Sequence, residues 1–146
     1  MNVVAVIQAR TGSSRLPNKI FCELSGFYLL HHVIERLKPS EEINNIVVAT
    51  TDTSQDNKVE DWCILNKINF FRGSEKNVLK RYYDTALIYK ADIIVRVTAD
   101  DPFKDYRIID DAIKIIKKTK IDFVCNNNPI SYPEGLDVEV LTMSAL

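Results

Sequence analysis

Five short runs of apolar, largely β-branched residues recur along the chain, at residues 3–7, 46–51, 68–71, 93–98 and 121–125, and helical patterns stand between them. Leu30, Val33, Ile34 and Leu37 fall at the spacing of one helix face, as do Ile109, Ala112, Ile113 and Ile116. Val59, Trp62 and Cys63 suggest the buried side of another helix, and Leu79, Tyr82, Tyr83, Ala86 and Leu87 that of a fourth, with Ser74 as a candidate N-cap before it. Strands that alternate with helices predict a three-layer α/β/α domain, a mostly parallel sheet covered on both faces. The 146 residues suffice for one such domain with a sizeable core. A last run, 136–141, alternates as a strand with Asp137 and Glu139 on one face and Val138 and Val140 on the other, and Ser144-Ala145-Leu146 reads as the start of a further helix.

In open α/β sheets, ligands bind at the carboxyl ends of the strands. That rule gathers the loop 9–19, the loop from Asp52, the segment after Phe71 and the pair Asp100-Asp101 along one edge. The loop after the first run reads Ala-Arg-Thr-Gly-Ser-Ser-Arg-Leu-Pro-Asn-Lys. It carries Arg10, Arg15 and Lys19 with no acid among them, and Gly12, Ser13 and Ser14 are small enough for backbone N–H groups to approach a ligand. Such a loop suits a polyphosphate. It is neither a Walker loop nor a three-glycine dinucleotide fingerprint. Asp100 and Asp101, adjacent at the end of an apolar run, suit a Mg²⁺ that carries substrate phosphates, although an Asp-Asp-Pro turn also caps helices.

Charge narrows the partners. With 19 basic and 20 acidic side chains there is no broad basic surface for nucleic acid, so anion binding must be local. No apolar run reaches membrane-spanning length, and Met1-Asn2 leads directly into the first strand without a signal-peptide pattern, which predicts a cytoplasmic protein. Cys22, Cys63 and Cys125 are scattered and odd in number, as expected of free thiols. His31 and His32 are neighbours on a helix and cannot chelate one metal together.

The wording IQARTGSSRLPNK resembles the signature loop of the sugar cytidylyltransferases, the enzymes that make CMP-activated acidic sugars such as CMP-Kdo and CMP-sialate. RVTADDP, FFRGSEKNVLKRYYDTA and NNNPISYPEGLDVEV resemble the same family, in its spore-coat polysaccharide branch. The resemblance implies a Rossmann-like nucleotide-diphospho-sugar transferase (GT-A) fold, of which residues 1–146 form the N-terminal portion as a single domain. It implies transfer of CMP from CTP to an acidic sugar, with loss of pyrophosphate and Mg²⁺ as cofactor. It gives Arg10 and Lys19 the triphosphate, with Arg15, Gly12 and Ser13 beside them, and Asp100 the metal. Ala9 and Arg72 would hold the cytosine, and Asn126, Tyr132, Asp137 and Glu139 would face the sugar. CTP and the sugar are then the partners, a homodimer is compatible, and neither nucleic acid nor membrane is involved. Other readings stay open: an enzyme using UTP or GTP, a nucleotide-sugar glycosyltransferase, or an inactive nucleotide-binding module or partner subunit.

Overall fold

A computed structural model describes residues 1–13 and 16–146; Arg15, expected in the phosphate site, and Ser14 lie outside the described residues. The elements are β1 (Val3–Gln8), β2 (Glu23–Leu24), β3 (Phe27–Tyr28), α1 (Leu29–Leu37), β4 (Asn45–Thr51), α2 (Asn57–Leu65) and β5 (Asn69–Gly73). Then follow α3 (Val78–Ile88), β6 (Ile93–Thr98), α4 (Tyr106–Thr119), β7 (Phe123–Cys125) and β8 (Glu139–Thr142), with short 3₁₀ turns at Lys19–Phe21, Ser54–Asp56 and Met143–Ala145. Six strands form one sheet in the order β5-β4-β1-β6-β8-β7, and β2 pairs with β3 in a small hairpin turned at Ser25-Gly26. β1 pairs in parallel with both β4 and β6. Every residue from Val3 to Ile7 is fully buried, which is why this run shows no polar alternation.

Side chains leave opposite faces of a strand in turn, and the core divides accordingly. Val3, Ala5 and Ile7 pack with α1, α2 and α4, whereas Val4 and Val6 pack with α3 and with Met143 and Leu146. On α4 one polar residue is buried by design: Asp110 accepts hydrogen bonds from the Ser40 hydroxyl and from the Glu41 N–H (3.1 Å), which pins the turn after α1. Ile113 of α4 is fully buried in the larger cluster. Ile113→Ala is expected to cost about 2–5 kcal/mol, read as a lower urea midpoint with an unchanged slope. A loss under about 1 kcal/mol would mean that α4 can collapse onto the cavity.

The structure differs from the sequence reading at three elements. β8 begins at Glu139, not at residue 136, and runs antiparallel between β6 and β7, so Asp137 stands before the strand and not within it. β7 begins at Phe123. The buried face of α3 is rotated: Arg81, Tyr82, Thr85 and Ala86 are inward, while Leu79, Tyr83 and Leu87 are exposed. Thr85 and Ala86 are small enough to bring the helix close to the sheet. The Tyr82 and Tyr89 hydroxyls reach the carbonyls of Val97 (3.3 Å) and Phe70 (3.1 Å). The cap of this helix is Asn77, whose side chain accepts from the Lys80 N–H (2.9 Å); Ser74 instead accepts from the Asn77 N–H.

No described helix is long and apolar enough to cross a membrane. All three cysteines are free, and burial pushes the Cys63 thiol up to about 12, so it is inert.

Candidate active site

β1 ends at Gln8 and β6 at Thr98, side by side in parallel register, so the loop 9–19 and the segment from Ala99 leave the sheet together. Ala9 is held down on one side, its N–H donating to the Ala49 carbonyl (3.1 Å). Thr11 is then fully buried and anchors the loop to Asp56. The Asp56 carboxylate accepts from the Thr11 N–H (2.8 Å), the Thr11 hydroxyl (2.6 Å) and the Thr51 hydroxyl. Burial alone would raise the pKa of Asp56, but these hydrogen bonds outweigh it and hold the carboxyl below its ordinary value. Beyond the anchor, the Thr11 carbonyl accepts from the N–H groups of Ser13 and Asn18, both at 2.9 Å, and Asn18 turns left-handed (φ 60°) to bring Lys19 back to the cleft. Gly12 faces Gln55.

The cleft so formed, about 190 Å³, is lined by Gln8, Arg10, Ser13, Lys19, Ile20, Thr98, Ala99 and Asp100. Lys19 and Asp100 form an ion pair across it, each about a third exposed. Burial works to raise the pKa of Asp100, yet the hydrogen bond and charge of Lys19 prevail and keep it ionised below the usual carboxylate range. Arg10 is exposed at the same mouth.

A second cleft, about 110 Å³, adjoins the first at Thr98 and is lined by Arg96, Asp101, Lys104, Asn127, Asp137 and Glu139 as well. The antiparallel pairing of β6 with β8 sets Arg96 opposite Glu139, and the two form an ion pair. Lys104 is 5% exposed; its ammonium bonds the Asp101 carboxylate (2.7 Å) and the Asp137 carbonyl (2.6 Å), tying the β6–α4 segment to the chain before β8.

The expected site residues therefore separate into groups. Arg10, Ser13, Lys19 and Asp100 share the first cleft, and Asp137 and Glu139 share the second. Asn126 does not line it. Its amide donates to the Leu136 carbonyl (2.8 Å) and accepts from the Val138 N–H (2.8 Å), and the neighbouring Asn127 reaches the cleft in its place. Tyr132 is 43% exposed and outside both linings. Each nitrogen of Arg72 donates one hydrogen bond within the protein, to Thr51 O (3.0 Å), Glu60 (2.5 Å) and Thr53 O (2.7 Å), and Arg72 lines neither cleft. Sequence reasoning passed over Asp56, Arg96 and Lys104. Asp56 lay in a loop already placed at this edge, but nothing in the residue order marked Lys104.

Among the described residues, no three His, Cys, Asp or Glu side chains gather as a metal cage. A Mg²⁺ that arrives on substrate phosphates needs only one or two protein carboxylates, and Asp100, ionised and at the cleft mouth, meets that need.

The sheet is an open α/β sheet with a cation-bearing loop after its first strand and a carboxylate facing that loop, an arrangement that suits a phosphate-bearing ligand. A family model described as cytidylyltransferase matches residues 4–139, and the chain belongs to that family. A protein of Methanocaldococcus jannaschii is 41% identical over 146 residues, covering 100% of this chain and 59% of the relative. The spore coat polysaccharide biosynthesis protein SpsF of Bacillus subtilis is 36% identical over 117 residues, 77% of this chain and 49% of the relative. The 3-deoxy-manno-octulosonate cytidylyltransferase of Geobacter metallireducens is 30% identical over 113 residues, 77% of this chain and 44% of the relative. A solved cytidylyltransferase from Leptospira borgpetersenii superposes with a TM-score of 0.91 at 38% identity, over 99% of this chain and 62% of that one. The chain thus spans about half the length of the curated relatives it matches.

Proposed function

We propose that this chain forms the nucleotide-binding part of an enzyme that transfers CMP from CTP to an acidic sugar and releases pyrophosphate, in the cytoplasm and for surface polysaccharide or glycan synthesis. The observation that carries this reading is the Lys19–Asp100 pair, set across a cleft that also presents Arg10. A lysine and an aspartate that neutralise each other at a strand-end mouth are poised for exchange: the triphosphate takes Lys19, and the freed Asp100 faces the cation carried by the phosphates. Arg10 and Lys19 then offset the charge that builds on the leaving pyrophosphate, worth more in the transition state than in the ground state. Mg²⁺, held by Asp100, would supply further charge stabilisation at the phosphates.

The second cleft suits the acceptor. It adjoins the first at Thr98, so a sugar held there lies next to the nucleotide cleft. Arg96 is the cation a sugar carboxylate would claim, in exchange with Glu139, while Asn127 and Asp137 offer hydrogen bonds to hydroxyls. The acidic sugar in the Geobacter relative's name agrees with this choice.

Thermal-shift measurement with CTP, UTP, GTP and ATP, each with Mg²⁺ at equal concentration, tests the reading. CTP is expected to raise the melting temperature most. Equal shifts from all four would leave a generic triphosphate site and remove the cytidylyltransferase assignment for this chain.

A further inference from the structure

Gln8 is the last residue of β1 and lines the first cleft. β1 is paired in parallel with β4 on one side and β6 on the other, and the Gln8 carbonyl accepts from the Ala99 N–H (3.1 Å). A strand paired on both sides has its backbone groups in the ladders, so what Gln8 offers to the cleft is its side-chain amide. Side chains alternate along a strand. Val4 and Val6 pack on the α3 side, so Gln8 leaves the sheet on that side too, two residues beyond the fully buried Val6 and itself only half-buried. The amides of Asn2, Asn66 and Asn126 each donate to backbone carbonyls, whereas among the described residues no partner engages that of Gln8. This carboxamide has two N–H donors and one carbonyl to give to a ligand.

Strand register fixes where the amide lies. Gln8 is paired with Thr98 of β6, and paired residues of adjacent strands point to the same face of the sheet. Among the described residues, Thr98 is the one that lines both clefts. Two residues earlier on the same face, Val6 is paired with Arg96, which lines the second cleft. Gln8 thus stands at the junction of the two clefts, on the nucleotide side of it.

We propose that Gln8 is a catalytic residue, its side-chain N–H group donating to a non-bridging oxygen of the α-phosphate. This rests on the reading of the first cleft as the CTP site and of the second as the acceptor site. A nucleotide in one cleft and a sugar in the other must meet at the α-phosphorus, the atom that the sugar oxygen attacks. The α-phosphate therefore belongs at the junction beside Thr98, and Gln8 is the neutral donor stationed there. Arg10 and Lys19 serve the β- and γ-phosphates, which leave together as pyrophosphate. A fixed donor beside the phosphorus under attack stabilises the charge carried by its oxygens.

The test is isothermal titration of wild type, Gln8→Ala and Gln8→Glu with CTP and Mg²⁺, together with phosphorus NMR of the bound nucleotide. Gln8→Ala removes the donor and is expected to weaken CTP binding by about ten- to a hundredfold. Gln8→Glu keeps the size but sets a carboxylate against the phosphate, and is expected to weaken binding further. In Gln8→Ala the α-phosphorus resonance of bound CTP should move while those of the β- and γ-phosphorus keep their wild-type positions. Wild-type affinity in either folded variant, or a shift confined to the β- and γ-phosphorus, would overturn the proposal while leaving the CTP site standing. Wild type that does not bind CTP would overturn both. Should the variants fail to fold, nitrogen-labelled wild type carries the test: the side-chain amide resonances of Gln8 are expected to shift with CTP and not with pyrophosphate. An amide that responds to neither, or to both alike, would contradict the role given to Gln8.

Discussion

Asp56→Ala is expected to cost about 1–3 kcal/mol of folding stability and to abolish detectable triphosphate binding in the protein that remains folded. The substitution strips the buried Thr11 N–H of its partner and leaves the Thr11 and Thr51 hydroxyls only the Gln55 carbonyl (3.3 Å) and the Thr53 hydroxyl (2.8 Å). A buried donor left unsatisfied costs about 1–3 kcal/mol. Binding falls with stability because Thr11 is the point from which the loop carrying Arg10 and Lys19 is hung. The same carboxylate sets a pH dependence. Its pKa in the folded protein lies below the ordinary 3.8, so its contribution is complete above that value and is lost as the pH falls through the folded pKa. Urea denaturation against pH should therefore show an acid-side loss in wild type that is reduced in Asp56→Asn. Parallel curves for the two proteins would mean that Asp56 is not the group responsible.

The second large effect is expected at Asp100. On the proposed function, Asp100→Asn should lower CTP-dependent pyrophosphate release by about a hundred- to a thousandfold, a loss of the size seen when one transition-state electrostatic contact is removed. CTP affinity should change much less, because Lys19, released from its pair, remains available to the phosphates. Lys19→Ala gives the opposite signature, a binding loss of about ten- to a hundredfold. Equal effects of both substitutions on affinity alone would contradict the division of labour between the two sides of the cleft.

Which parts of this were legible in the sequence follows from how each residue is used. β1 is buried on both faces, β4 is buried over its last five residues, and β6 is apolar but for Arg96 and Thr98, so hydrophobicity marks all three, and the loops at their carboxyl ends follow once the sheet is taken as parallel. The face of α3 was misread because its inward side includes Arg81 and Thr85, which count against burial in any hydropathy pattern, while Leu79, Tyr83 and Leu87 supply a more apolar stripe that faces outward. β8 was placed three residues early because the alternation of 136–141 continues through Asp137, where the backbone carbonyl is committed to Lys104 and not to a ladder. Asn126 and Asn127 cannot be told apart by type. Only the hydrogen bonds show that Asn126 closes its own loop while Asn127 faces the second cleft. Lys104 is engaged with partners both near and far in sequence, and no periodicity records the distant one.

The two adjoining clefts are proposed to hold CTP and the sugar that attacks it. CTP labelled on the α-phosphate and CTP labelled on the γ-phosphate, each incubated with Mg²⁺, the enzyme and a panel of 2-keto sugar acids, test this most directly. The α-label is expected to move to a sugar while the γ-label leaves in pyrophosphate. Label from the γ-phosphate on the sugar, or α-label that never leaves CTP with any acid in the panel, would contradict it.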